Sequence, residues 1–119
     1  MDETVTLQAV RKAALSLGPG SRVLRSPLIP SALSGGVGAE VLLKLETLQP
    51  TGAFKLRGAT HAIACLTGDA ARRGVVCCST GNHGRAVAHA ARARGIPATV
   101  CLSSLVPQVK VNAVVALGA

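Results

Sequence analysis

The sequence predicts an α/β fold, a parallel sheet whose strands are joined by helical crossovers. Three observations carry this. Short apolar runs at Val41–Leu45, Gly74–Cys78 and Ala98–Leu102 alternate with helical patterns at Phe54–Leu66, Asn82–Arg94 and from Pro107 to about Leu117. Such alternation builds parallel sheets, because a parallel neighbour is reached only through a crossover. Turn residues stand at the joints, as Thr51-Gly52, Ser79-Thr80-Gly81 and Gly95 with Pro97. The chain has 119 residues, 49% hydrophobic and 15% charged, a composition that folds and does not stay disordered.

Ahead of the alternation, Thr4–Leu17 reads as a helix. Val5, Ala9, Ala13 and Leu17 recur at helical spacing, and Gly18-Pro19-Gly20 stops it. Arg25-Ser26-Pro27-Leu28 is extended, since proline drives its predecessor out of the α region. Ser34–Gly38, rich in glycine, reads as a surface loop. Val41–Leu45 is a short strand that turns polar at Glu46. Phe54–Leu66 follows as a helix with Lys55 in its first turn. Gly74–Cys78 is apolar without a break, the pattern of a strand buried on both faces.

Composition excludes several functions. The net charge is +8, but no basic run exceeds a pair such as Arg11-Lys12 or Arg72-Arg73. Phe54 is the only aromatic residue, so stacking platforms for a single strand are lacking and nucleic acid is not the expected partner. The surplus positive charge suits an anionic cofactor or substrate instead. Cys65, Cys77, Cys78 and Cys101 make no C-x-x-C pair, and no histidine stands at finger-like spacing. They are expected to be small buried hydrophobes, kept reduced, with no metal site. Asp2 and Glu3 are the opposite of a basic leader, and no apolar run is long enough for a membrane, so the cytoplasm is the expected location.

Two constellations carry chemistry. In the first, Lys55 follows a glycine-containing turn at a helix start. The partial positive charge of that end disfavours a protonated amine, and an amine must be neutral to attack an aldehyde. A solvated surface lysine is the competing reading. The second is Ser79-Thr80-Gly81-Asn82-His83-Gly84, between an apolar strand and a helix. Small residues let a ligand approach the backbone, and free amides at a helix start cradle a carboxylate or phosphate. The carboxyl end of a parallel strand is also where α/β folds bind ligands. The competing reading is a helix cap made by Ser79 or Thr80. His83 alone is weak evidence, and His61 and His89 read as ordinary helix residues. Gly35-Gly36-Val37-Gly38 lacks the Lys-Ser/Thr of a phosphate loop and reads as a plain turn.

Taken together, Lys44-Leu45-Glu46, Gln49-Pro50-Thr51-Gly52-Ala53-Phe54-Lys55-Leu56-Arg57-Gly58-Ala59 and Ser79-Thr80-Gly81-Asn82-His83-Gly84 resemble the fold-type II pyridoxal-phosphate (PLP) enzymes, in the threonine/serine dehydratase branch. Arg25-Ser26-Pro27-Leu28 is also similar to that branch. Ser79 to Ala88, with Cys101 to Pro107, is most similar to the hydroxyectoine-utilisation dehydratases. The resemblance covers nearly the whole chain in order. It implies the tryptophan synthase β-like fold, incomplete, with residues 1–119 as its N-terminal portion and no complete second domain.

The resemblance also implies roles. Lys55 would hold PLP as a Schiff base and act as the catalytic base at the substrate α-carbon. Asn82 would bond the cofactor's ring hydroxyl, and Phe54 would pack beside it. Ser79, Thr80, Gly81, Asn82 and His83 would hold the carboxylate of a small amino-acid substrate. Arg57 and Gly58 would serve packing. The reaction would be β-elimination of water from a β-hydroxy amino acid, giving a 2-oxo acid and ammonia, in an enzyme that forms a homo-oligomer. Sister activities are β-replacement and racemisation. Thr80 stands where serine racemases carry a serine acting on the opposite face of the substrate, and its β-branch restricts its rotamer, which argues against racemisation. Ala53 stands where many members carry serine. The family's phosphate-cradling glycine loop does not occur in these residues. The resemblance therefore implies a fragment with little or no activity alone, and a non-catalytic remnant is the alternative.

Overall fold

The computed structural model describes residues 5–119. Helix α1 (Leu7–Leu15) opens on Thr6, whose hydroxyl accepts from the Ala9 amide at 3.1 Å, a side-chain N-cap. The expected start at Thr4 lies outside the described residues. The chain then runs through β1 (Leu28–Pro30), the one-turn α2 (Ser34–Val37) and β2 (Leu42–Lys44) to a 3-10 turn at Glu46–Leu48. Next come α3 (Lys55–Ala64), α4 (Gly68–Arg73), β3 (Val75–Cys78), α5 (Asn82–Ala93), β4 (Ala98–Cys101) and α6 (Gln108–Val115).

The α/β class holds, with a parallel pair joined by a helix. Strands β3 and β4 lie parallel, Val75 opposite Ala98 through Cys78 opposite Cys101, and α5 is their crossover. The expected strand at Val41–Leu45 joins a different sheet. There β2 pairs antiparallel with β1, Leu28 opposite Lys44 and Pro30 opposite Leu42. The physical reason is proximity. The proline-rich extended segment needs a partner for its free carbonyls, and β2 is the next strand in the chain. Two smaller expectations also change. Ser34–Val37 winds into one helical turn closed by left-handed Gly38 (φ 64°) instead of a loop. Gly68–Arg73 forms a helix the pattern did not foretell.

The core sits between α3 and the α5–sheet layer. Leu56, Ala59 and Ile63 of α3 meet Ala86, Val87, Ala90 and Ala91 of α5 and Ile96 beyond it. Alanine on facing helices permits close approach, and burial of Leu56 and Ile63 adds about 1.5–3 kcal/mol each. The other side of α5 covers the sheet, half-burying Val75, Cys77, Ala98 and Val100. The opposite sheet face is open, with Val76 75% exposed. Strand β3 is thus covered on one face and not on both as expected, because α5 is the helix layer packed on it among the described residues. The cysteines change with it: Cys65, Cys78 and Cys101 are exposed and Cys77 is half-buried, where buried positions were expected.

Candidate functional site

The turn ahead of α3 is pinned by buried neighbours. Thr51, Ala53 and Leu56 are buried, and left-handed Gly52 (φ 71°) reverses the chain, its amide donating to the Gln49 carbonyl at 2.7 Å. Lys55 and Phe54 between them face outward. The Lys55 Nζ lies 4.9 Å from the centre of the Phe54 ring and makes no ion pair among the described residues. Lys55 is the first residue of α3.

Arg57, two residues along, is committed to structure, as expected. Its Nε and Nη2 donate to Glu46 Oε2 and Oε1 at 2.9 and 2.6 Å, a bidentate pair. Nη2 also donates to Ser26 Oγ and to the Leu24 carbonyl, both at 3.2 Å. Gln49 completes the network, accepting from the Leu24 amide at 3.0 Å and donating to its carbonyl at 2.8 Å. The Arg57 guanidinium, with the Ser26 hydroxyl and Gln49 amide, holds the Glu46 carboxyl at a pKa of about 2 against the partial desolvation that opposes it.

The second constellation forms the link from β3 to α5. Ser79 Oγ accepts from the Gly81 amide at 3.3 Å, which tightens the turn. No side chain caps α5 itself, because its N-cap is Gly81. The amides of Asn82, His83 and Gly84 have no carbonyl one turn back and point outward from the helix end. Gly84 fixes the depth of the loop. A Cβ there would stand 2.8 Å from Val100 Cγ1 and 3.3 Å from the Ser79 carbonyl oxygen. Gly84→Ala is therefore expected to cost about 1 kcal/mol net, the overpacking outweighing the gain in helix propensity. Urea unfolding measures it, and Val100→Ala in the same chain should recover most of the loss.

The loop faces two concavities. Thr80, Gly81 and Asn82 line a small one of about 60 Å³ with Arg85, Leu102 and Lys110. Two cations and no carboxylate stand on it, and Arg85 Nε is buried without a partner. His83 faces an apolar groove of about 240 Å³, walled also by Gly58, Ala59, Cys77 and Val87. That groove runs along α3 from Gly58 to Ile63 and on to Leu66, and meets the start of α5 at His83; Lys55 lines neither concavity. Sequence reasoning missed Arg85 and Lys110, since only the fold brings α5 and α6 to the loop. A larger hollow, about 610 Å³ and wide open, lies near Arg22 and Arg25. Two more of its cations are already engaged, Lys44 with the Ser26 carbonyl and Arg57 with Glu46. Among the described residues no three or more metal-ligating side chains gather, and no helix is long and apolar enough to cross a membrane.

Comparison with known proteins follows the same lines. A Sinorhizobium fredii relative with a provisional threonine dehydratase name is 53% identical over 98 residues, covering 82% of this chain and 30% of its own. The L-threonine ammonia-lyase of Thermotoga maritima is 42% identical over 116 residues, covering 97% of this chain and 28% of its own. The solved structure of maize serine racemase matches 97% of this chain and 35% of that one, with a TM-score of 0.89 at 37% identity. The chain thus spans about a third of the length of the proteins it matches. Residues 21–119 match the family described as pyridoxal-phosphate dependent enzyme. On that match and the shared fold, the chain belongs to the pyridoxal-phosphate dependent enzymes, in the group of threonine dehydratases and serine racemases.

Proposed function

We propose that the chain supplies the lysine and the carboxylate loop of a PLP-dependent ammonia-lyase acting on a small β-hydroxy amino acid. One observation carries the reading: the Lys55 amine at the start of α3 is exposed and makes no ion pair among the described residues, and the α5 terminus is uncapped and flanked by Arg85 and Lys110. These residues fit the cofactor. Lys55 would hold its aldehyde carbon, the exposed Phe54 ring would cover one side, and the Asn82 side chain would bond its ring hydroxyl.

When bound, PLP supplies an electron-withdrawing ring that accepts charge from the substrate's α-carbon. The chain does the rest. Amides of the Ser79–Gly84 segment orient the substrate carboxylate, and the two nearby cations draw it in. Lys55 Nζ would take the proton from the substrate's α-carbon. Thr80 Oγ1 stands at the loop to hold a proton near the substrate. The β-hydroxyl leaves as water, and hydrolysis yields the 2-oxo acid and ammonia. Threonine, serine and the hydroxylated diaminobutyrate of hydroxyectoine use are the candidate substrates. Serine racemisation is a second reading, favoured by the likeness to maize serine racemase; D-serine formed from L-serine without ammonia would support it.

Because the chain spans about a third of its relatives, covalent capture tests the reading better than turnover. Borohydride added to the chain with PLP should fix the pyridoxyl group on Lys55. Label spread evenly over Lys12, Lys44 and Lys110 would sink the proposal.

A further inference from the structure

Three of the chain's four thiols gather at the parallel pair. Cys77 and Cys78 end β3, and Cys101 ends β4. Register separates them. Cys78 pairs with Cys101, while Cys77 pairs with Val100. Directly paired residues of parallel strands project to the same face. The burial pattern agrees, since Cys78 and Cys101 are both exposed on the open face while Cys77 and Val100 turn toward α5. Neighbouring strands lie about 4.7–4.9 Å apart, within the roughly 4.4–6.8 Å that separates the Cα atoms of a disulfide. Both cysteines are the last residues of their strands, so the loops after them can absorb the small closing movement a bond needs. Cys77 is kept out of this chemistry by its face, and burial first of all, then the neighbouring thiols, pushes its own pKa up.

We propose that Cys78 and Cys101 form an oxidisable dithiol, a modification site that closes to an intramolecular disulfide under a peroxide. The thiolate of one cysteine attacks hydrogen peroxide, breaking the O–O bond and giving a sulfenic acid and one water. The second thiol attacks that sulfur, forms the S–S bond and expels the oxygen as a second water. Two thiols lose two electrons in all, and one peroxide takes them. The bond ties the strand ends from which the Ser79 loop and the loop after Leu102 depart. The inference stands on strand register and exposure alone and does not depend on the cofactor reading.

The test treats the 119-residue chain with hydrogen peroxide, alkylates the remaining thiols and digests with trypsin. Half of the four thiols should be lost. A species joining residues 74–85 to residues 95–110, lighter by two hydrogens than the two peptides, should appear in monomeric protein. Cys78→Ser and Cys101→Ser should each abolish it, while Cys65→Ser and Cys77→Ser leave it intact. In urea the preference should vanish, because register no longer selects the pair. A bond between Cys77 and Cys78 within one peptide, any link to Cys65, intermolecular dimers or failure to cross-link would each overturn the proposal.

Discussion

Lys55→Ala is expected to abolish borohydride-fixed pyridoxyl label while leaving the fold unchanged. The two halves of this result have separate causes. Capture needs a nucleophilic amine at the aldehyde carbon, and alanine has none. Stability should move by no more than about 0.5 kcal/mol, because the side chain is exposed and gives up only its contact with the Phe54 ring. Mass spectrometry of the labelled chain and urea unfolding of the unlabelled chain measure the two. Label persisting at wild-type level in Lys55→Ala would assign the cofactor to another lysine. A chain that loses both label and fold would make Lys55 a structural residue.

Arg57→Ala is expected to cost about 2–3 kcal/mol and to change the response to acid. The side chains of Arg57 and Glu46 are 31% and 18% exposed, so this pair is neither a free surface contact nor a dry one. Its removal leaves Glu46 short of two charge-assisted bonds and leaves the Leu24 carbonyl and Ser26 hydroxyl short of a donor. The pH dependence follows from the Glu46 carboxyl, which falls from an ordinary 4.5 to about 2 in the folded chain. A lowered carboxyl adds stability fully above its unfolded value. That contribution fades as pH falls from about 5 and is gone below the folded value of about 2. The wild type should therefore lose stability steeply from pH 5 to pH 2, and Arg57→Ala should show a flatter limb there. Arg57→Lys should recover only part of the loss, because an ammonium cannot reproduce the two-pronged contact. Equal slopes in wild type and Arg57→Ala would sink this account. Urea titrations at stepped pH provide the comparison.

Local signals in the sequence were read well where a single residue type enforces a geometry. Gly52 and Gly95 mark left-handed turns that the chain does make, and the Ser79–Gly81 turn lies between a strand and a helix as expected. Helix α5 ends at Ala93, just ahead of the Gly95 and Pro97 stop signal. What escaped depends on distant partners. Strand β1 is three residues long and ends on Pro30, too short for any alternation to register, and its pairing diverted β2 from the parallel sheet. An unbroken apolar run does not say whether one face or two are covered, so β3 and its cysteines looked more buried than they are. Helix α4 is short and polar, held by an Asp69–Arg72 contact and left-handed Gly68 and Gly74, with no apolar stripe to announce it. Arg85 and Lys110 are separated by a strand and a loop. Nothing in their local sequence assigns them to one cavity.

The alanines between α3 and α5 have a mechanical meaning. Ala59 on one helix and Ala86, Ala90 and Ala91 on the other have no χ1 to turn, and Val87 beside them has one strongly preferred rotamer. A shift of one helix therefore finds few side chains able to rotate and take up the slack. Contact between the helix bearing Lys55 and the helix rooted in the Ser79–Gly84 loop is therefore made largely through backbone and Cβ atoms. Their spacing is then a property of the backbone, set before any ligand arrives.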